Sequence, residues 1–481
     1  MKKTVSLIIL LALLIQLAAC GGEALPDETT VPETTPEETT IDMSSVNELP
    51  DKKWDGREFR VLGRESAEGR TQFNNFEIYA ESENGDLVND AVFRRNSRIE
   101  DKYDVKITQV LVDLPHNELR TSVLAQEDLY DLAFVELQSI GSVAAEGYFY
   151  NLNDVDYIDF SKSYWNKEVN DSLTIGKSLY FTSSDFSLRD KNRVYIMTHN
   201  RDMLKDYKLG SVVDLVREGK WTADVMKEYT KAIYADVNND GSMTIEDNWG
   251  VGFDSYNAFS ALMYAQGARI AKSVNGEVTL AMNSEHTVSA VDKALAIAKN
   301  GLFCNDFQGK VDFDFWDTAG RMFYAKQQLF MMSFPHSLKT YSEKCDFDYG
   351  IIPLPKYDES QEKYYTMADI YCMLFGIPIT TPDPDFTGFM LEALSSDSQE
   401  VLYNYYELTC KVKHTYDEDS AEMLDIIFDG IVYDLGAIYD IGLKSLWLNI
   451  AQYKENDFSS AYASVEASAQ SRLKDILDQF G

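Results

Sequence analysis

The chain has 481 residues but only five cysteines and five histidines, and that scarcity removes several functions at once. His116, His199, His286, His336 and His414 stand at no spacing that pairs them as metal ligands, and there is no CxxC or mixed Cys/His cluster, so a zinc centre has no donor set. The sequence also lacks HExxH, GxSxG and a glycine-rich phosphate loop. Their absence excludes the common metalloprotease, serine-hydrolase and nucleotide-binding frameworks. Positive charge is short as well: 44 Lys and Arg face 79 Asp and Glu, for a formal net charge of −35. Such a surface repels nucleic acid and anionic headgroups at long range and points to neutral or cationic small ligands over polyanions. Beyond residue 20, no apolar run reaches the ~20 residues that a membrane-spanning helix needs.

The first residues carry an export address. Lys2 and Lys3 precede an apolar run from Val5 to Leu17, broken only by Ser6 and Gln16, and Leu17-Ala-Ala-Cys20-Gly21 follows. A positive start, a short apolar stretch and small residues before a cut make a secretory signal. The Leu-Ala-Ala-Cys end resembles the lipobox of bacterial lipoproteins. That resemblance implies cleavage before Cys20 and a lipid on it, tethering the chain to the outer face of the cell membrane. Residues 21–50 are dominated by Thr, Glu, Pro and Asp. They hold too little apolar surface to offset a backbone entropy of roughly 1–2 kcal/mol per residue, so a disordered stalk is expected. The folded body begins near Trp54 and is long enough for two or more domains. Its four cysteines, Cys304, Cys345, Cys372 and Cys410, allow either disulfides or free buried thiols.

Along the body, Glu58–Leu62, Val105–Val110 and Tyr130–Val135 read as strands, with helices over Asn89–Tyr103 and between Pro115 and Gln126. The alternation predicts an open α/β sheet, in which ligands sit beyond the carboxyl ends of the strands. Glu136 and Gln138 fall there. The middle reads as mainly helical, with Thr222 capping one helix and Ser284–Asn300 forming the clearest one. Tyr349–Ile352 reads as a return strand into a proline-stiffened loop, and from Phe386 onward helices resume.

One motif is specific. In the twelve residues from Asp236 to Asp247, Asp236, Asn238 and Asp240 occupy the first, third and fifth positions, and Gly241 sits at the sharp turn. The Ser242 carbonyl, Thr244 and Asp247 complete the pattern of a calcium loop, which surrounds a hard cation with six to eight oxygens. Asp247 is shorter than the usual terminal Glu, which implies modest affinity. Trp249-Gly250-Val-Gly-Phe253 follows as a strand instead of a second helix, so a structural Ca2+ is expected, not a switch.

Asn89-Asp-Ala-Val-Phe-Arg-Arg-Asn96, Tyr130-Asp-Leu132, Gly219-Lys-Trp-Thr222 with the calcium-like loop and Trp249-Gly250, Tyr349-Gly-Ile-Ile-Pro-Leu-Pro-Lys356 and Asp419-Ser-Ala-Glu-Met-Leu-Asp-Ile-Ile427 together cover nearly the whole body. In this order they resemble the extracellular solute-binding lipoproteins of ABC importers, the family that includes maltose- and oligosaccharide-binding proteins. Ile196–Asn200 departs from it, since the family carries an aromatic-Asn-Lys run there. The resemblance implies an α/β, two-lobed clamp with a hinge and a helix-rich second lobe. Lobe one would hold 51–187 and 338–395, and lobe two 188–337 and 396–475. It further implies a monomer, not an enzyme, that passes a small solute, above all an oligosaccharide, to membrane permease subunits. A sugar site wants aromatic rings for sugar faces and polar side chains for hydroxyl edges. By order along the chain, the cleft candidates are Glu136, Gln138, Asp185, Tyr256, Phe259, Phe334, His336, Asp369, Tyr371 and Trp447, with Tyr256 and Trp447 foremost. Trp165 is expected to pack between the lobes. Two other classes stay open: a carbohydrate-active hydrolase, which needs only two placed carboxylates, and an adhesin or sensor ectodomain.

Overall fold

The computed structural model describes residues 49–66, 73–413 and 417–480. The signal segment, Cys20 and most of the stalk lie outside the described residues.

In chain order the body opens with β1 (Arg57–Arg64), α1 (Leu87–Tyr103), β2 (Val105–Val112), α2 (Pro115–Leu124), β3 (Leu132–Glu136) and α3 (Leu137–Ala145). Each local signal has a visible cause. The Asp86 carboxylate accepts from the amides of Val88 and Asn89 and starts α1; left-handed Asp104 (φ 51°) ends it; Pro115 starts α2. β3 is buried at all five residues, as a strand covered on both faces must be.

The chain then forms β4 (Ile196–Asn200), α4 (Ala223–Ile233), β5 (Trp249–Phe253), α5 (Asn257–Ala265), the hairpin of β6 (Ala271–Val274) and β7 (Glu277–Leu280), α6 (Glu285–Ala298) and β8 (Gly301–Phe303). It continues through β9 (Gln328–Ser333), β10 (Tyr349–Ile352), β11 (Thr366–Met367), β12 (Met373–Gly376), α7 (Pro384–Ser396), β13 (Ile431–Val432), α8 (Lys444–Tyr453) and α9 (Phe458–Phe480).

Two sheets result. The first has the order β12-β3-β1-β2, with β1 parallel to β2 and β3, and β12 antiparallel to β3. The second has the order β10-β4-β9-β5-β8, with β5 parallel to β8 and β9, and β4 antiparallel to β9 and β10. The middle, though richer in helix than in strand, thus also contributes four strands of the second sheet, beyond the helices its sequence suggests. Its strands are short, and β4, β5, β8 and β9 are buried along their whole length, so none shows the alternation that marks a half-exposed strand. The return segment 338–395 also divides. β10 pairs with β4 of the second sheet, whereas β12 pairs with β3 of the first, so Tyr349–Ile352 does not belong with lobe one.

Between the sheets, chain segments run side by side. Val194 bridges Ala368, and Thr366 and Met367 pair with Ile431 and Val432. These thin ladders connect two bodies that each have their own sheet, which is the two-lobed α/β architecture. Gly141 lets α3 lie close to 435–438: a Cβ there would stand 2.3 Å from the Ile438 carbonyl oxygen. That contact seats α3 at the junction.

Candidate functional site

The parallel strands β1 and β3 end together, and their last residues are Arg64 and Glu136. Arg64 Nη1 lies 2.9 Å from Glu136 Oε1, and His116 Nδ1, at the first turn of α2, lies 3.5 Å from Oε2. In the second sheet, β5 and β9 are likewise parallel and deliver Asp254 and Phe334 just past their carboxyl ends. From the crossing segment, Arg193 pairs with Asp369. Its guanidinium stands 4.3 Å from the Phe334 ring, 5.1 Å from Phe73 and 5.5 Å from Tyr371. The Arg64 guanidinium is 4.9 Å from the same Phe73 ring and 5.6 Å from Tyr371. Two arginines, one ending β1 and one in the crossing segment, thus flank one pair of rings, at the crevice where open α/β sheets bind ligands.

His336 stacks on Phe334 at 5.4 Å, with Nε2 3.4 Å from Arg193. Burial and the Arg193 charge hold its imidazole well below the ordinary range, so it is neutral. Burial and nearby Asp369 push Asp254 up to about 7, and the Tyr195 hydroxyl donates to it at 3.4 Å. Burial pushes Asp185 up to about 6 against the pull of Lys191.

A cavity of about 280 Å³ opens beside this cluster, lined by Gln138 of α3, Tyr264 of α5, Ile370, Tyr433 and Trp447 of α8. Trp447 is fully buried and meets Tyr264 edge-on at 5.2 Å, and its Nε1 has no hydrogen-bond partner. Ile370 faces the cavity while its neighbours Asp369 and Tyr371 join Arg193, so one short segment walls both. The arrangement offers ring faces, hydrogen-bonding edges and two carboxylates, Glu136 and Asp369, each already held by an arginine. It suits holding a polar molecule.

A sequence profile of the bacterial extracellular solute-binding proteins matches residues 98–421. The chain belongs to that family. Solved structures agree in fold. The maltose-binding protein MalE from Listeria monocytogenes, in complex with maltose, is 15% identical with a TM-score of 0.54, over 88% of this chain and 98% of its own. A cyclo/maltodextrin-binding protein complexed with maltotetraose is 16% identical with a TM-score of 0.53, over 89% and 98%. An ABC substrate-binding protein from Listeria monocytogenes, in complex with cycloalternan, is 13% identical with a TM-score of 0.52, over 87% and 99%. No curated protein matches by sequence.

Within this solute-binding protein, Glu136, Phe334, His336, Asp369 and Tyr371 gather around the two arginines, and Gln138 and Trp447 line the cavity. Trp447 is not half-exposed as a loop ring would be; packing against Tyr264 buries it entirely. Tyr256 turns to Asp306, donating its hydroxyl at 2.7 Å, and Phe259 is fully buried in the core of α5. Trp165 sits inside the first lobe, against Phe160 and Phe375, and donates to Glu392 at 2.9 Å. Arg64, Arg193, Asp254 and Tyr264 were not foreseen. Arg64 and Asp254 were within reach, because the rule that singles out Glu136 beyond β3 applies equally to β1 and β5.

The calcium-type loop is folded by its own side chains. Asp236 accepts from Gly241 N at 2.9 Å, Asn238 from Asp240 N at 2.9 Å, and Asp240 from Ser242 N at 2.8 Å. Asp247 accepts from the amides of Val237 and Thr244, at 3.0 and 2.7 Å, and Thr244 Oγ1 adds a bond at 3.1 Å. Asp236 Oδ1 is buried without a partner. No group of three His, Cys, Asp or Glu side chains among the described residues converges to hold a metal, so a cation here would also draw on amide and backbone oxygens. The four cysteines among the described residues are free; Cys304, Cys372 and Cys410 are buried, and burial pushes the Cys304, Cys345 and Cys410 thiols up to about 12. No helix among the described residues is long and apolar enough to cross a membrane.

Proposed function

We propose that this solute-binding protein captures an oligosaccharide between its lobes and passes it unchanged to the permease subunits of an ABC importer. The observation that carries the reading is the cavity walled from both sides of the junction, by Gln138 and Ile370 on one side and Tyr264 and Trp447 on the other. An indole donor and a glutamine amide suit hydroxyl edges, and the two rings suit sugar faces. The sugars in the three structural neighbours support the same class. The narrow ladders between the sheets serve as the hinge, so the lobes close on the solute. The chain acts outside the cell as a monomer, held through lipid on Cys20, and the loop at Asp236–Asp247 holds Ca2+ as a structural ion. A thermal-shift screen of the purified full-length chain against sugars, amino acids and peptides tests the reading. Stabilisation by an oligosaccharide, recovered intact, is the expected result. A response to peptides alone, or release of reducing ends, overturns it.

A further inference from the structure

Arg64 enters the junction from the end of β1 and Arg193 from the crossing segment, and their side chains keep only 9% and 6% exposure. Arg193 pairs with Asp369, and Arg64 with Glu136 at 2.9 Å and more loosely with Asp113 at 3.8 Å. A guanidinium carries five N–H donors, and one carboxylate takes two of them. The Nε of both arginines is buried and has no hydrogen-bond partner. Buried charged donors are rarely left unsatisfied, so two of them around one pair of rings mark a place for an incoming acceptor.

For guanidinium donors left without partners, a carboxylate is the strongest acceptor, since it meets the planar fork with two parallel hydrogen bonds. A third arginine, Arg189, lies close by, donating to the Tyr371 carbonyl at 3.2 Å. Around these three cations stand Glu136, Asp369 and Asp113, the last 3.8 Å from Arg64 at the solvent edge, and the carboxyls of buried Glu77 and of Asp254. Burial pushes the Glu77 and Asp254 carboxyls up, Asp254 to about 7, and His336 is neutral, so none of these three supplies an acceptor to the orphaned Nε donors. The net charge of −35 does not oppose a carboxylate here. Exposed charges are screened beyond about 8 Å at physiological salt, whereas the buried arginines act at contact.

We propose that the solute is an acidic sugar, a short uronate-bearing oligosaccharide whose carboxylate is taken between Arg64 and Arg193 while a neighbouring ring fills the cavity against Trp447. The proposal rests on the oligosaccharide reading above. Its geometric basis is the segment Asp369–Tyr371, which borders the arginines with its ends and the cavity with Ile370. One carboxylate per binding unit meets two forked donors, a pairing that discriminates against neutral sugars.

Isothermal titration of the full-length chain with digalacturonate against galactobiose, and with cellobiouronate against cellobiose, tests it. At least one acid binds about tenfold or more tightly than its neutral counterpart. The double variant Arg193→Gln/Asp369→Asn removes a cation together with its partner, so no buried charge is stranded. It erases that preference while its thermal midpoint shows a folded chain, and Arg64→Gln/Glu136→Gln, which likewise removes a cation with its buried partner, repeats the test from the end of β1. Neutral sugars binding as tightly as the acids overturn the acidic assignment and leave the oligosaccharide reading standing. A preference that survives both variants overturns the site. Binding of none of the four overturns the acidic assignment, while the oligosaccharide reading stands or falls by the thermal-shift screen above.

Discussion

Trp447→Phe separates solute recognition from folding. The indole is fully buried, touches Tyr264 edge-on and leaves its Nε1 without a partner. A buried donor left unsatisfied costs about 1–3 kcal/mol, which phenylalanine would relieve. Against that gain, the smaller ring gives up roughly 40 Å² of apolar burial, about 1 kcal/mol. The variant is therefore expected to be as stable as the parent chain, or slightly more so. Trp221→Phe is the control. Trp221 is equally buried, but its Nε1 donates to the Pro353 carbonyl at 3.0 Å. That substitution loses the same area and strands a carbonyl, for a loss of about 2–4 kcal/mol. Urea denaturation midpoints of the two variants give the comparison, and calorimetry with a bound sugar gives the second axis. Trp447→Phe should weaken binding while keeping its midpoint; Trp221→Phe should do the reverse. If both variants lose stability equally, with sugar affinity untouched, the argument that Nε1 is kept for a solute is wrong.

Asp254→Asn should reshape the pH dependence of stability. The folded carboxyl titrates near 7, above its unfolded value, so the folded state holds the proton longer, and Asp254 weakens the fold as pH rises from about 4 to about 7. The variant's advantage over the parent should be largest at pH 8 and shrink toward pH 5; an advantage that does not vary with pH refutes the assignment. Glu392 accepts from the Tyr164 hydroxyl, Trp165 Nε1 and the Asp159 amide, so Glu392→Ala strands three donors and should cost about 3–5 kcal/mol in denaturant unfolding. A loss below about 1 kcal/mol would contradict that count. Calcium at a hundredfold excess over its dissociation constant should stabilise the chain by about 2.7 kcal/mol; equal melting midpoints in calcium and in chelator would remove the ion from the loop.

Local chemistry made much of this protein legible without coordinates. The α1 boundary follows from Asp86 and Asp104, the α4 cap from Thr222, and the loop at Asp236–Asp247 from side chains that hydrogen-bond within a few residues of themselves. The first sheet could be read because its strands and helices alternate with short connections, and the family could be recognised because its phrases recur in order. What the tertiary structure alone decided is the company each residue keeps. β10 joins the second sheet through hydrogen bonds to β4, a pairing between distant segments that no local pattern encodes. Trp447 is buried because Tyr264 happens to face it, and Arg64 meets Arg193 because strands of two sheets and a crossing segment end at one crevice. Side chains that meet at the crevice lie far apart in the chain. Which of them meet is fixed by packing over long range, where periodicity and propensity carry no information.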